Sequence, residues 1–238
     1  EPISGSDAND CLSVLTACAS LQGAMDKAIE GDVIFAAEGT YTSTSAQVVN
    51  FTKSLKLVGG WDSTFTTRTG CSTINGNGVS TGVIVPAGVT ASMERFTVTN
   101  SWNNAIQKGG IHNRGTLTLS QCEVSNSISA YHGGVYNSGT MIINGCVIKK
   151  NNRGGIDNYG QLTVTNSIIS GNTGEGVYNE GNASINTTKI IGNTNFQGAG
   201  IYSLGTLSLS RSSVSNNISA NGGGLYVEQN ATVLDSTI

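Results

Sequence analysis

The stretch Gly154-Gly155-Ile156-Asp157-Asn158-Tyr159-Gly160-Gln161-Leu162-Thr163-Val164-Thr165-Asn166-Ser167-Ile168-Ile169-Ser170-Gly171-Asn172 decides the fold, because the chain writes it six times. The other copies open on Gly109-Gly110-Ile111-His112-Asn113, Gly133-Gly134-Val135-Tyr136-Asn137, Glu175-Gly176-Val177-Tyr178-Asn179, Ala199-Gly200-Ile201-Tyr202-Ser203 and Gly223-Gly224-Leu225-Tyr226-Val227. The second position of each unit falls at 110, 134, 155, 176, 200 and 224, so the periods are 24, 21, 21, 24 and 24 residues. A fixed period of this length is the signature of a solenoid.

Apolar residues keep step within the unit. Nine residues after the second glycine stand Leu119, Ile143, Val164, Ile185, Leu209 and Val233, and fourteen after it Val124, Ile148, Ile169, Ile190, Val214 and Ile238. Small polar residues alternate with them, which reads as short strands with one buried face. Three such strands per unit describe one coil of a parallel β-helix. A hairpin array would need a return strand in each repeat, and its interior positions would not stay constant. Seventeen residues after the glycine comes a column of Asn151, Asn172, Asn193 and Asn217, led by Ser127. Asn tolerates left-handed backbone, and its amide can bond both up and down a stack, so this column predicts a ladder. Asn113, Asn137, Asn158 and Asn179 make a second column.

Residues 32–108 carry the same pattern less regularly, with an irregular stretch near 59–71 that should protrude as a loop and that carries Trp61, a candidate binding residue or an aromatic lid packed on the rod. Ahead of them, Ser20 to Gly31 reads as a helix with Leu21, Met25, Ala28 and Ile29 on one face. A solenoid needs a cap over its first coil, and residues 1–31 are placed to supply it. Rung counting from residue 32 gives roughly nine to ten coils. The expected architecture is thus one all-β domain: capping segment 1–31, irregular coils 32–108 and regular coils 109–238.

Composition narrows the function. Only 11% of residues are charged, against about 25% in an average domain. Twelve basic residues against 15 acidic exclude the basic footprint of a nucleic-acid binder. No run approaches the ~18 apolar residues of a membrane span. Five cysteines fit no metal-ligand spacing, and with His112 and His132 the only imidazoles no metal site or cofactor is expected. Cys11 and Cys18 close a short loop that could carry a disulfide, which suits an exported protein. Cys122 and Cys146 share one inward column on adjacent rungs, close enough for a second.

The segment Ser20-Leu21-Gln22 through Ala28-Ile29, Gly31-Asp32-Val33-Ile34 and Glu38-Gly39-Thr40-Tyr41-Thr42 resembles the first turn of pectin-lyase-like right-handed β-helices. The recurring Gly-Gly-(Ile/Val/Leu)-Tyr with Ile148-x-x-Asn151, Ile169-x-x-Asn172, Ile190-x-x-Asn193 and Val214-x-x-Asn217 is similar to the repeats of polymorphic outer-membrane proteins and other bacterial surface β-helices. The second motif of that family carries Phe where this chain has Ile or Val. The resemblance implies a right-handed helix and a place outside or on the cell, and it implies no single chemistry.

Candidate functional residues follow from the outward columns. His112, Tyr136, Asp157, Tyr178, Tyr202 and Tyr226 share one, and its tyrosines could hold a glycan or a host surface partner, or simply stack. Asp157 and Glu180, one rung and two columns apart, should lie roughly 8 Å from each other, within the range of an inverting glycosidase pair. A hydroxyl column of Thr118, Thr163, Ser184, Ser208 and Thr232 raises ice binding, although Ile142 interrupts it. The last unit stops at Ile238 in mid-coil, which reads either as a fragment of a longer repeat protein or as an end that residues 1–31 of a second copy would cover, head to tail. The favoured expectation is a secreted or surface-bound structural or adhesive rod without catalysis. The alternative is a polysaccharide-cleaving enzyme.

Overall fold

A computed structural model describes residues 5–102, 109–130 and 132–238. Three parallel sheets run the length of the molecule. The first has nine strands, from Val33–Ala37 to Ala231–Leu234. The second has eight, from Gly39–Tyr41 to Ser213–Ser215, and the third eight, from Gln47–Asn50 to Leu225–Val227. Each strand pairs with the one three places on in the chain, so the fold is a parallel β-solenoid. It makes about eight full turns, close to the rung count, with one long interval in the first sheet between the strands that begin at Lys56 and Thr90.

The register holds every repeat column in line. Leu117, Met141, Leu162, Ala183 and Leu207 stack on the inner side of the first sheet, as do Leu119, Ile143, Val164, Ile185 and Leu209. All ten are buried and belong to one continuous core. Burial of such columns is the main stabilising term, at roughly 25 cal/mol per Å² of apolar surface.

Polar ladders close the corners. Ser127 N–H donates to Asn151 Oδ1 at 3.0 Å, Asn151 N–H to Asn172 Oδ1 at 2.9 Å, Asn172 N–H to Asn193 Oδ1 at 3.0 Å and Asn193 N–H to Asn217 Oδ1 at 2.9 Å. The second column repeats the device through Asn113, Asn137, Asn158, Asn179 and Ser203, with amide contacts of 2.7 to 2.9 Å. The Asn ladder also explains the glycines. A Cβ on Gly155 would lie 2.6 Å from Gly176 O and 3.0 Å from Asn172 Nδ2, since the inward-turned amide occupies that corner. Close approach, not positive φ, therefore fixes the second glycine of each unit. Left-handed backbone falls one residue before each ladder Asn, at Lys150 (φ 53°), Gly171 (60°), Gly192 (67°) and Asn216 (53°), so the ladder asparagines do not themselves adopt it.

A third ladder runs through the small-residue column. Cys122 N–H points at Cys146 Sγ at 3.4 Å, Cys146 N–H at Ser167 Oγ at 3.1 Å, and Thr188 and Ser212 continue the series. Cys122 and Cys146 stand as free, buried thiols and not as the second disulfide their adjacency allowed. Each sulfur fills the acceptor place that a hydroxyl fills on the other rungs. Cys122 Sγ in turn meets Ser120 O at 3.4 Å and Cys146 Sγ meets Asn144 O at 3.4 Å, so the two sulfurs face carbonyls.

The capping helix is shorter than its sequence pattern suggests. It spans Leu21–Lys27, with Ser20 Oγ accepting from Gly23 N–H at its start. Ala28 turns extended, and Lys53 Nζ bonds the carbonyls of Met25, Asp26 and Ala28, a cation at a helix C-terminus. Ile29 consequently lies outside the helix and 71% exposed, while Leu21 and Met25 cover the first coil. Cys11 and Cys18 form a disulfide beside the short 3-10 turn Val14–Thr16. No helix among the described residues is long and apolar enough to cross a membrane.

Candidate functional site

The outward column of the third sheet is held in register as His112, Tyr136, Asp157, Tyr178, Tyr202 and Tyr226. Its rings form a ladder. Centroids lie 4.5 Å apart for His112 and Tyr136, 5.6 Å for Tyr178 and Tyr202 and 4.9 Å for Tyr202 and Tyr226, at interplanar angles of 19°, 20° and 30°. Asp157 breaks the column, and Tyr159, two residues on, bridges the gap at 5.4 Å from Tyr136 and 5.9 Å from Tyr178. The strip is therefore continuous over six rungs. Rings stacked in this way cover one another's faces, so a ligand meets edges and hydroxyls.

The hydroxyls are tied to carboxylates. Tyr178 donates to Glu180 Oε1, and Tyr202 donates to Glu228 Oε1 at 3.1 Å. Burial, helped by the charges of Asp157 and Glu180, pushes the Tyr159 phenol up to about 12, so it stays a donor at any physiological pH.

Asp157 is only 5% exposed. Its Oδ2 accepts from Gly133 N–H at 3.2 Å and lies 3.1 Å from His132 Nδ1. Burial raises its carboxyl above the usual range, and the His132 bond works against that rise. Glu175, whose carboxyl is likewise raised by burial and by Asp157, bonds Asn195 Nδ2. The His132 ring is partly exposed and packs against Tyr136 at 4.5 Å and Tyr159 at 6.0 Å between centroids. Two oddities of backbone sit alongside, Arg153 at φ 73° and Gly154 at φ 115°.

The structure thus gathers Asp157, Tyr136 and Tyr178 at one place. Asp157 is buried beneath its contact with His132, and Glu180 takes the Tyr178 hydroxyl. His132 was not singled out from the sequence. The signal available is the period: the coil from 110 to 134 has three residues more than the next, and the excess falls in the corner before Gly133, from which His132 reaches across to the following rung. Trp61 lies elsewhere. It ends the strand Lys56–Trp61, packs edge-on against Phe35 at 5.2 Å and carries the Arg68 guanidinium at 6.0 Å. The loop after it is knotted by Asp62, whose carboxylate accepts from Thr64, Thr66 and Thr67 and is held well below the usual range, first by the Thr67 hydroxyl. Trp61 thus packs between Phe35 and Arg68, away from the tyrosine column. Among the described residues no group of three His, Cys, Asp or Glu side chains could hold a metal ion. The hydroxyl column of the first sheet stays in register, and Ile142 interrupts it 40% exposed.

No family model and no curated protein matches the sequence. Two solved structures are similar to the chain. Pectate lyase Pel9A matches with a TM-score of 0.48 at 17% identity, over 98% of this chain and 76% of that one. The A-module of the Azotobacter vinelandii mannuronan C-5 epimerase AlgE4 matches with a TM-score of 0.24 at 11% identity, over 92% and 90% of the two chains. At these values the likenesses say nothing about chemistry, and the site must be read from its own residues.

Proposed function

We propose that this chain is an exported, adhesive β-helix rod that binds an extended glycan along the tyrosine strip of the third sheet. The observation that carries the reading is the six-ring strip itself. It offers one phenol per rung for five rungs of six, at the ~4.8 Å rung spacing, a repeat close to the length of one pyranose residue in an extended chain. Amphipathic rings of this kind are common where one partner is polar and flat. The Cys11–Cys18 disulfide supports export, because such bonds persist in oxidising compartments.

The test is binding of soluble xylan and of cello-oligosaccharides by calorimetry, with Tyr202→Ala and Tyr226→Ala as variants. Each is expected to weaken binding roughly threefold to tenfold, the loss of one aromatic contact. Unchanged affinity in the double variant would reject the strip as the binding surface.

Self-association is a second reading. At the capped end, Leu12, Leu15, Val33 and Phe35 are 85%, 94%, 49% and 54% exposed, and the strand Val33–Ala37 is the edge of the nine-stranded sheet. An apolar sheet edge invites a second chain. Electron microscopy over a concentration series tests it: filaments support head-to-tail contact, and dispersed rods at every concentration reject it.

A further inference from the structure

From His112 to Tyr226 the column carries an aromatic ring on every rung except at Asp157, and several unusual features meet at that exception. A carboxylate is buried where the other rungs place a ring, an imidazole crosses from the previous corner to meet it, and two aromatic rings flank the imidazole. Local rules broken at one place, with a perturbed acid in it, mark a functional site. Asp157 Oδ2 accepts the Gly133 N–H, and an ionised carboxylate oxygen takes a second donor, so we assign the contact with His132 as a donation from Nδ1–H. That fixes the tautomer and leaves the lone pair of His132 on Nε2, on a ring that is partly exposed.

We propose that His132 is a general base that hydrolyses O-acyl esters carried by a neutral glycan lying on the strip, a proposal that rests on the glycan-binding reading above. The local charge selects the reaction. Asp157, Glu180 and Glu175 all act on the Tyr159 phenol, so the surroundings of His132 are acidic. Removing a proton beside the carboxylate of a uronate would gather one more negative charge among these acids, whereas an uncharged ester brings none. In the step, Nε2 takes a proton from water as the water oxygen bonds to the acyl carbon. The ester C–O bond then breaks, and the departing sugar oxygen takes the proton back from the imidazolium. The products are a free acid and a free hydroxyl. Tyr136 and Tyr159 supply phenol donors beside the imidazole for the developing oxyanion. Asp157 is a positioning residue: it touches His132 and not the ester.

The experiment incubates the full chain with acetylated xylan, 4-nitrophenyl acetate and polygalacturonate. Acetate release and glycan binding are measured on the same samples. Expected are acetate release from xylan and no cleavage of polygalacturonate. His132→Ala and the hydrogen-bonding His132→Gln should each lower kcat on the order of 10²- to 10⁴-fold. Asp157→Asn should lower kcat with KM nearly unchanged, since the imidazole loses the group that orients it. Lys189→Ala, on the second sheet, should change nothing. Circular dichroism confirms folding, and His132→Gln keeps the test open where His132→Ala unfolds. Xylan bound without acetate release, or release unchanged in both His132 variants, overturns the base assignment. Hydrolysis of 4-nitrophenyl acetate that depends on His132 in a chain that binds no xylan keeps the base and overturns the strip.

Discussion

Replacing Asn172 by Ala tests whether the ladder is a set of hydrogen bonds or only a packing column. Asn172 is 1% exposed. Its Oδ1 accepts from Asn151 N–H at 2.9 Å and Asn151 Nδ2 at 3.1 Å, and its Nδ2 donates to Asn193 Oδ1 at 2.9 Å and Ile148 O at 3.3 Å. The substitution removes all four, but their consequences differ. Asn151 Nδ2 keeps Val124 O at 3.1 Å, and Asn193 Oδ1 keeps the Asn172 N–H at 3.0 Å. Asn151 N–H keeps nothing that the ladder gave it. One orphaned buried N–H costs about 1–3 kcal/mol, and the other lost bonds bring the expected destabilisation to about 2–4 kcal/mol. Urea unfolding measures the total. Amide hydrogen exchange measures the direction: Asn151 N–H should lose protection, while Asn193 N–H, which donates to Asn217 Oδ1, should keep it. Equal loss on both sides, or a change below about 0.5 kcal/mol, would refute the polarity on which the argument depends.

Gly155→Ala should destabilise strongly, because its Cβ would meet Gly176 O at 2.6 Å and the Asn172 amide, whereas Gly171→Asn should be nearly neutral, because Asn126 and Asn216 already hold that left-handed corner with φ 53°; thermal melts of the two variants check the contrast. In native protein a maleimide should modify exposed Cys71 and spare Cys122 and Cys146, the former raised by its bond to Cys146 and by burial; mass spectrometry showing three rapid additions would refute the buried ladder. Burial raises Asp157 in the fold, so the protonated form is favoured there: the stabilising contribution is full below the unfolded pKa of about 3.9 and is lost as pH rises through the folded value. Asp157→Asn should therefore flatten the pH dependence of the melting temperature across the acid range, and an unchanged profile would place the raised group elsewhere.

The interior was legible because its columns repeat without error. Leu119, Ile143 and Val164 differ in shape yet share a place, and only a parallel stack keeps such a place constant. The Asn column was legible for the same reason, though its mechanism was not: the left-handed residues one place earlier include Lys150, so no residue type announces them. The helix boundary was misjudged because its end is set by Lys53, distant in sequence, and no local signal stops the helix at Lys27. The Asp157–His132 contact escaped for the corresponding reason. It joins a corner of one coil to a strand of the next, 25 residues apart, and pattern reading compares like positions and not unlike ones.

That contrast bears on where chemistry sits in a solenoid. A ladder is stabilised by sameness, since each rung offers its neighbour the group that the neighbour offers back. A reacting site needs the reverse, two unlike groups held together. In this chain unlike neighbours arise where the period changes: the coil ending at Gly133 is three residues longer than the coil that follows, and its corner reaches past its own rung to a side chain one rung away. Tyr159 then restores the ring stack that Asp157 interrupts, so the strip keeps its continuity while admitting a buried acid. The other 24-residue coils end in Gln197-Gly198-Ala199 and Asn221-Gly222-Gly223, which place no imidazole at that corner. Of the corners before a tyrosine-bearing rung, the one carrying His132 thus combines an inserted loop, a titratable ring and an acid on the next rung to hold it.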